Sequence, residues 1–365
     1  MVIEKRNNYW DIVKGLGIIL VVLGHSGCPN KFAIITLNYY HMALFFFVAG
    51  FFYKDKNSNN VFLYIGKKMM GLWLPMIKYI VAFILLHNIF LKLNIYSTIQ
   101  NEHMIYPTVY YSVIDTLTYC FNTIFQGNYP VEMAGAMWFV LPLIVSMSMF
   151  CLISHSAIVL NFKDKKKYIW ISVIIVIFAI IGFYFSYKSW KFAWRVDIAL
   201  FSLPIIYFGY LYNKTDTNKS NWYLIIIAIA IIIFFYKREY MISYVEAKLG
   251  NPIKFILVSL SGIYLNLAVA KSLNKIKYIN KAIALVGRES FNIMALHFLS
   301  FKFVNLLDVI ISNKPIYYIA KYPYSNEKLW LVYLLAGLII PILYIKVYRY
   351  IKIIIVNKVH EIKNT

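Results

Sequence analysis

Apolar runs separated by short polar punctuation divide the chain into ten segments. They lie near 11–28, 32–53, 69–91, 136–160, 168–187, 195–212, 222–236, 253–271, 287–311 and 329–348. Several reach or approach the roughly 20 apolar residues that a helix needs to cross about 30 Å of hydrocarbon. The runs are continuous rather than alternating, which fits helices and not the strands of a barrel. The pattern predicts an all-α polytopic integral membrane protein with about ten transmembrane helices. Residues 1–365 read as one membrane domain without a separate soluble domain.

Composition strengthens this reading: the chain is 61% hydrophobic and 14% charged, against about 45–50% and about 25% in soluble domains. The formal charge of +22 raises the question of nucleic acid. The basic residues, however, sit mostly in short loops between apolar runs, where they set orientation and meet the anionic headgroups of the bilayer. No nucleic-acid partner is expected. With the N-terminus inside, the inner segments collect Lys5, Arg6, Lys54, Lys56, Lys67, Lys68, the run "KDKKK" from Lys163, Lys214, Lys219, the cluster from Lys271 to Lys281 and the basic tail. Roughly 21 Lys and Arg then lie inside and about 12 outside, so both termini are expected in the cytoplasm of a multi-pass cell-membrane protein.

The basic N-terminus is followed by no small-residue cleavage site, so the first helix is expected to stay as a signal anchor. The tail "RYIKIIIVNKVHEIK" reads as a basic amphipathic segment along the inner surface. The longest loop, about 92–135, faces outward and is rich in Tyr and Asn. It fits either a lid or acceptor-binding loop, or an interfacial helix with an aromatic belt. Cys28, Cys120 and Cys151 have no metal-ligand spacing and form no disulfide framework. Nothing in the sequence sets an oligomeric state.

Ionisable groups inside a span are costly unless they face a cavity or a partner, so each is a functional candidate. The first span, "DIVKGLGIILVVLGHSG", carries Asp11, Lys14 and His25. At 100° per residue, Lys14 and His25 point within about 20° of each other and Asp11 about 60° away, so all three share one face. Lys14 and His25 are separated by about 16 Å along the axis, roughly half the hydrocarbon thickness. Lys14 also fits a snorkelling lysine paired with Asp11, and His25 an interfacial histidine.

The second span, "FAIITLNYYHMALFFFVAGFFY", places His41 near mid-bilayer with Asn38 one turn earlier on the same face. The loop between the first two spans is very short, so they are expected to be antiparallel neighbours with both histidines facing a shared cavity. The ninth span, "RESFNIMALHFLSF", adds Ser290 and His297 on one face. His297 also fits a packing hydrogen bond between helices. No HExxH, clustered carboxylates, GxSxG elbow or phosphate-binding glycine loop accompanies these residues, and no metal site is expected.

These stretches resemble the acyltransferase 3 membrane proteins, in particular the branch of fucose 4-O-acetylase-like and exopolysaccharide O-acetyltransferases. "DIVKGLGIILVVLGH" is similar to the family's first-helix signature, a basic residue, ten positions and a histidine. "YHMALFFFVAGFFY", "KKMMGLWLPMIKY", "MWFVLPLIVS", "DIALFSLPIIYFGYLY" and "SFNIMALHF" resemble later segments in family order. The resemblance implies transfer of an acyl group, usually acetyl, from acyl-CoA as co-substrate to a hydroxyl of a sugar or polysaccharide, with no tightly bound cofactor.

Carried over, His25 takes the family's catalytic histidine and Lys14 the position usually filled by arginine. Lys67 and Lys68, with Gly71 following, stand where two spaced arginines often occur. Lys14, Lys67 and Lys68 are then candidates for the phosphates of the donor. His25 is the expected base, alone or through a transient acyl-imidazole, with His41 or Asn38 orienting it or supporting an oxyanion. Glu132, Trp138, Arg195 and Asp197 lie near the outer side as candidate acceptor contacts or interface anchors. A secondary transporter or lipid-linked-sugar flippase with a polar pathway is the alternative reading. Transporters more often place charges at broken helices near mid-bilayer.

Overall fold

The computed structural model describes residues 8–98, 109–215 and 221–364. Lys5, Arg6, Lys219 and positions 99–108 of the long loop lie outside the described residues. Ten long helices occupy the ten apolar segments: α1 (Asn8–His25), α2 (Lys31–Phe51), α3 (Val61–Leu85), α4 (Val140–Val159), α5 (Asp164–Tyr187), α6 (Val196–Lys214), α7 (Trp222–Lys237), α8 (Pro252–Leu273), α9 (Ser290–Ile311) and α10 (Trp330–Asn364). Eight of them are long and apolar enough to cross a membrane. The other two are α1, which carries Asp11 and Lys14, and α7, which has 16 residues. Among the described residues there is no strand, only an isolated bridge between Ser243 and Lys248. The protein is an all-α polytopic membrane protein.

Local chemistry sets the helix boundaries. Asn30 accepts from the Ala33 N–H to cap α2, and Asn60 accepts from Leu63 to cap α3, each at 2.9 Å. That cap starts α3 at Val61, before its apolar run begins. Met69–Trp73 form a π-turn within α3. Pro75 follows, and lacking an N–H it leaves the Gly71 carbonyl without its usual partner, so a wider turn is accommodated there. The tail departs from its expected course. No Gly or Pro interrupts the chain after Pro341, and α10 continues unbroken for 35 residues, about 52 Å at 1.5 Å per residue. It extends the last span instead of forming a separate surface segment.

The centre of the bundle is built from α1, α2, α4, α6 and α9. Gly15 of α1 and Gly287 of the short helix Lys277–Arg288 face each other, and a Cβ at either would overlap backbone of the other helix. Their lack of side chains lets the two backbones touch, as small residues do at helix crossings in membranes. Helices α3, α5 and α10 turn much of their apolar surface outward, with Ile169, Val173 and Ile180 exposed on α5. These are surfaces for lipid. Within the long loop, the helix Val113–Phe125 exposes Ile114, Leu117, Phe121 and Phe125 as one stripe, which favours an interfacial helix.

At the opposite end, Asp55 joins three elements. It accepts from Lys167 at 3.1 Å, Lys214 at 2.7 Å and Tyr210 at 2.7 Å. Partial burial pushes its carboxyl up, but hydrogen bonds from Lys214, Tyr210 and Lys167 outweigh this and hold its pKa at about 2.

Candidate active site

A cavity of about 240 Å³ runs between α1, α2, α4 and α9. Ile18, Val21 and His25 line it from α1, spaced so that they form one helical face. Asn38, His41 and Phe45 line it from α2, Leu72 from the π-turn, Trp138 and Phe139 from the turn before α4, and Ser290 and Met294 from α9. Ser243, Tyr244 and Val245, in the connection after α7, complete the wall. The structure thus gathers His25, Asn38, His41, Trp138 and Ser290 at one place. Most of the lining is apolar, so the polar groups that do face inward are few and placed.

His25 ends α1 at the turn "HSGCPN". Gly27 makes that turn with φ 81°, and the Tyr324 ring lies 2.9 Å from where a Cβ would stand. Any side chain there would be strained twice, by its backbone and by the ring. The segment carrying Tyr324 is anchored to α9 by the buried Lys302, which donates to the Ala320 and Lys321 carbonyls at 2.9 Å each. Asn305 adds a bond to the Ile319 carbonyl at 2.9 Å.

His25 Nδ1 lies 3.2 Å from Nε2 of His297, and the two rings stack with centroids 5.2 Å apart. His297 is fully buried, and its Nδ1 donates to the carbonyls of Ile293 and Met294, both at 3.0 Å. Among the described residues His25 thus hydrogen-bonds to His297 and to neither His41 nor Asn38. His41 is near enough to act electrostatically on His25, but its Nδ1 donates to the Leu37 carbonyl at 2.7 Å. In the neutral ring that leaves Nε2 as an acceptor, unable to donate to an oxyanion. Asn38 gives one amide hydrogen to Ile34 at 2.9 Å and has a second to offer.

Several sequence candidates stand outside the cavity lining. Lys14 pairs with Asp11 at 2.9 Å, one turn before Ile18 on the cavity-facing side of α1. Lys67 borders a shallow surface depression with Met70 and Gly71, and Lys68 stands over the Tyr64 ring at 5.1 Å. Glu132 is buried and interacts electrostatically with Lys302. Arg195 and Asp197 pair with each other: Asp197 is fully buried and holds Arg195 through Nε and Nη2, the latter at 2.9 Å. Their pairing has another consequence, because Arg195 Nη1 donates to the Val245 carbonyl at 2.7 Å and so fixes the cavity wall. Among the described residues no group of three or more His, Cys, Asp or Glu gathers to hold a metal ion.

The family model of acyltransferase 3, described as an acyltransferase domain, matches residues 7–348. The chain belongs to the acyltransferase 3 family. No curated protein and no solved structure matches it. The family match takes in every element that lines the cavity. It makes the protein a multi-pass membrane acyltransferase, the enzyme class and not the transporter alternative.

The wall Ser243–Val245 and the role of Lys302 were not visible in the sequence. Their only signal was a short polar break after α7 and a lysine in an otherwise apolar ninth span.

Proposed function

We propose that this acyltransferase moves an acetyl group from acetyl-CoA to a hydroxyl of a cell-surface polysaccharide or its lipid-linked precursor, with His25 as general base. The observation that carries the reading is His25 itself. It faces the cavity, Nδ1 is held by His297, and Nε2 has no protein partner among the described residues.

A sugar hydroxyl is far too weak an acid to ionise at neutral pH, so its attack on a thioester needs a base, and neutral imidazole can serve. The hydroxyl proton passes to His25 as its oxygen bonds to the thioester carbonyl carbon. The carbon–sulfur bond then breaks, and the departing thiolate takes the proton from His25. Asn38, through its second amide hydrogen, and the Ser290 hydroxyl are candidates to face the oxyanion. His41 Nε2 suits an acceptor hydroxyl.

The cavity is smaller than the 300–1,000 Å³ of a typical ligand pocket. It therefore admits the thioester end of a donor and part of a sugar, with the remainder of each outside. Lys14, with Lys67 and Lys68 as further cations, would receive donor phosphates from the cytoplasmic side, where both termini lie in this reading. The acceptor would enter beside Trp138 and Ser243–Val245 from the outer side. This is the arrangement expected of an enzyme in the cell membrane.

Mass spectrometry of surface glycans and lipid-linked sugars from cells with and without the protein tests the reading. A difference of one acetyl group per modified residue is expected. A succinyl difference would keep the acyltransferase and overturn the donor, and identical glycans would overturn the proposal.

A further inference from the structure

We infer that His297 is a positioning residue that sets the tautomer of His25, leaving the lone pair on His25 Nε2, the nitrogen that takes the acceptor proton. The inference deepens the proposed function and rests on His25 being the base.

Hydrogen-bond accounting leads to it. The two oxygens at 3.0 Å from His297 Nδ1, those of Ile293 and Met294, are carbonyls. Carbonyls only accept, so Nδ1 carries the hydrogen. A neutral imidazole has one N–H, and His297 Nε2 therefore holds a lone pair. That lone pair lies 3.2 Å from His25 Nδ1. Two lone pairs at that distance would repel, so His25 Nδ1 carries a hydrogen and donates it. His25 Nε2 is left bare.

A backbone constraint on α9 is thus passed through one ring to the catalytic nitrogen of another. Among the described residues, His297 and His41, both imidazoles, act on His25, and no carboxylate lines the cavity to favour a doubly charged pair. His297 stays neutral while His25 takes the proton, and the Nδ1–H to Nε2 bond becomes charge-assisted. The role matches that of the buried carboxylate in a Ser-His-Asp triad, which holds the imidazole in one tautomer. Here a neutral acceptor fills it. It stabilises the imidazolium less than a carboxylate would, which suits a base that must return its proton to a thiolate.

The test uses full-length protein in lipid nanodiscs with ring-15N histidine, the His25 signals being identified by their loss in His25→Ala. The expected spectrum has His25 Nδ1 protonated and Nε2 unprotonated. In His297→Phe, the Nε2–H form should appear, and kcat should fall by about 10²- to 10⁴-fold with acceptor KM little changed, in the range that wrong-tautomer triads show. His297→Gln keeps an amide oxygen that can accept from Nδ1–H, and should retain the tautomer and most of kcat.

A wild-type His25 protonated at Nε2, or a folded His297→Phe protein with full turnover, would overturn the inference. Should His297→Phe fail to fold, the wild-type spectrum decides alone. Transfer that survives His25→Ala would instead overturn the base reading, and leaves the spectrum to judge the tautomer separately.

Discussion

Arg195 Nη1 donates a 2.7 Å hydrogen bond to the carbonyl of Val245, fifty residues along the chain. The donor is placed at a cost, since Trp194 and Arg195 both adopt left-handed backbone, with φ 56° and 51°. Such conformations persist only where their surroundings impose them. The fork of Arg195 on the buried Asp197 does so, and its remaining arm reaches the cavity wall. Lysine lacks the planar fork, so it loses the two-point hold on Asp197 that aims the remaining arm at Val245. Arg195→Lys should raise KM for the sugar acceptor by about tenfold, the weight of one hydrogen bond to a charged group, with a smaller effect on kcat. An unchanged acceptor KM would show that the wall does not depend on this arm.

Gly287 and Gly66 make a contrasting pair. A Cβ at 287 would overlap the Asp11 carbonyl oxygen, whereas one at 66 would meet nothing within 4 Å. Gly287→Ala should force α1 away from its neighbour and lower Tm, at a cost of about 1–3 kcal/mol. Gly66→Ala should leave Tm unchanged or raise it, by up to about 1 kcal/mol in stability. Thermal unfolding in one detergent compares the two directly. Equal stability would contradict the close approach of α1 and the helix Lys277–Arg288.

Asp55 gives the pH prediction. Its folded pKa of about 2 lies below the ordinary 3.8, so its contribution to stability is present above about pH 4 and is lost as pH falls through about 2. Asp55→Asn should lower Tm modestly at pH 7, because its side chain is 43% exposed and solvent screens its pairs. The gap between wild type and variant should hold down to about pH 5 and close between about pH 4 and 2. A gap that widened with acid would reverse the assigned direction.

Lys14 lies one turn before Ile18, on the side of α1 that faces the cavity. If it meets donor phosphates, Lys14→Arg should keep or lower KM for acetyl-CoA, because guanidinium binds phosphate at two points. A marked rise in a folded protein would contradict phosphate binding by Lys14 and argue for a different role, beginning with its 2.9 Å pairing with Asp11.

Much of this organisation was legible in the chain, for identifiable reasons. Ten apolar runs became ten helices because the bilayer demands internally hydrogen-bonded spans of a set length. The i to i+3 pairing of Lys14 with Asp11 and the shared cavity of His25 and His41 depend on helical period and one short loop, both visible in one dimension. His25 and His297 are 272 residues apart, and no periodicity reports that α1 and α9 are neighbours. Arg195 and Asp197 read as outward polar groups because sequence shows their charge and not that each neutralises the other. The burial of Glu132 was hidden for a similar reason: Lys302, with which it interacts electrostatically, comes from a distant helix. The continuous α10 was hidden by its basic residues, which resemble a surface segment but break no helix.

The most direct test of the central claim is transfer of labelled acetyl from acetyl-CoA to a sugar acceptor by purified protein in lipid, comparing wild type with His25→Ala. The wild type should transfer the label, and His25→Ala should lose transfer while keeping the wild-type Tm. Undiminished transfer by folded His25→Ala would contradict that claim.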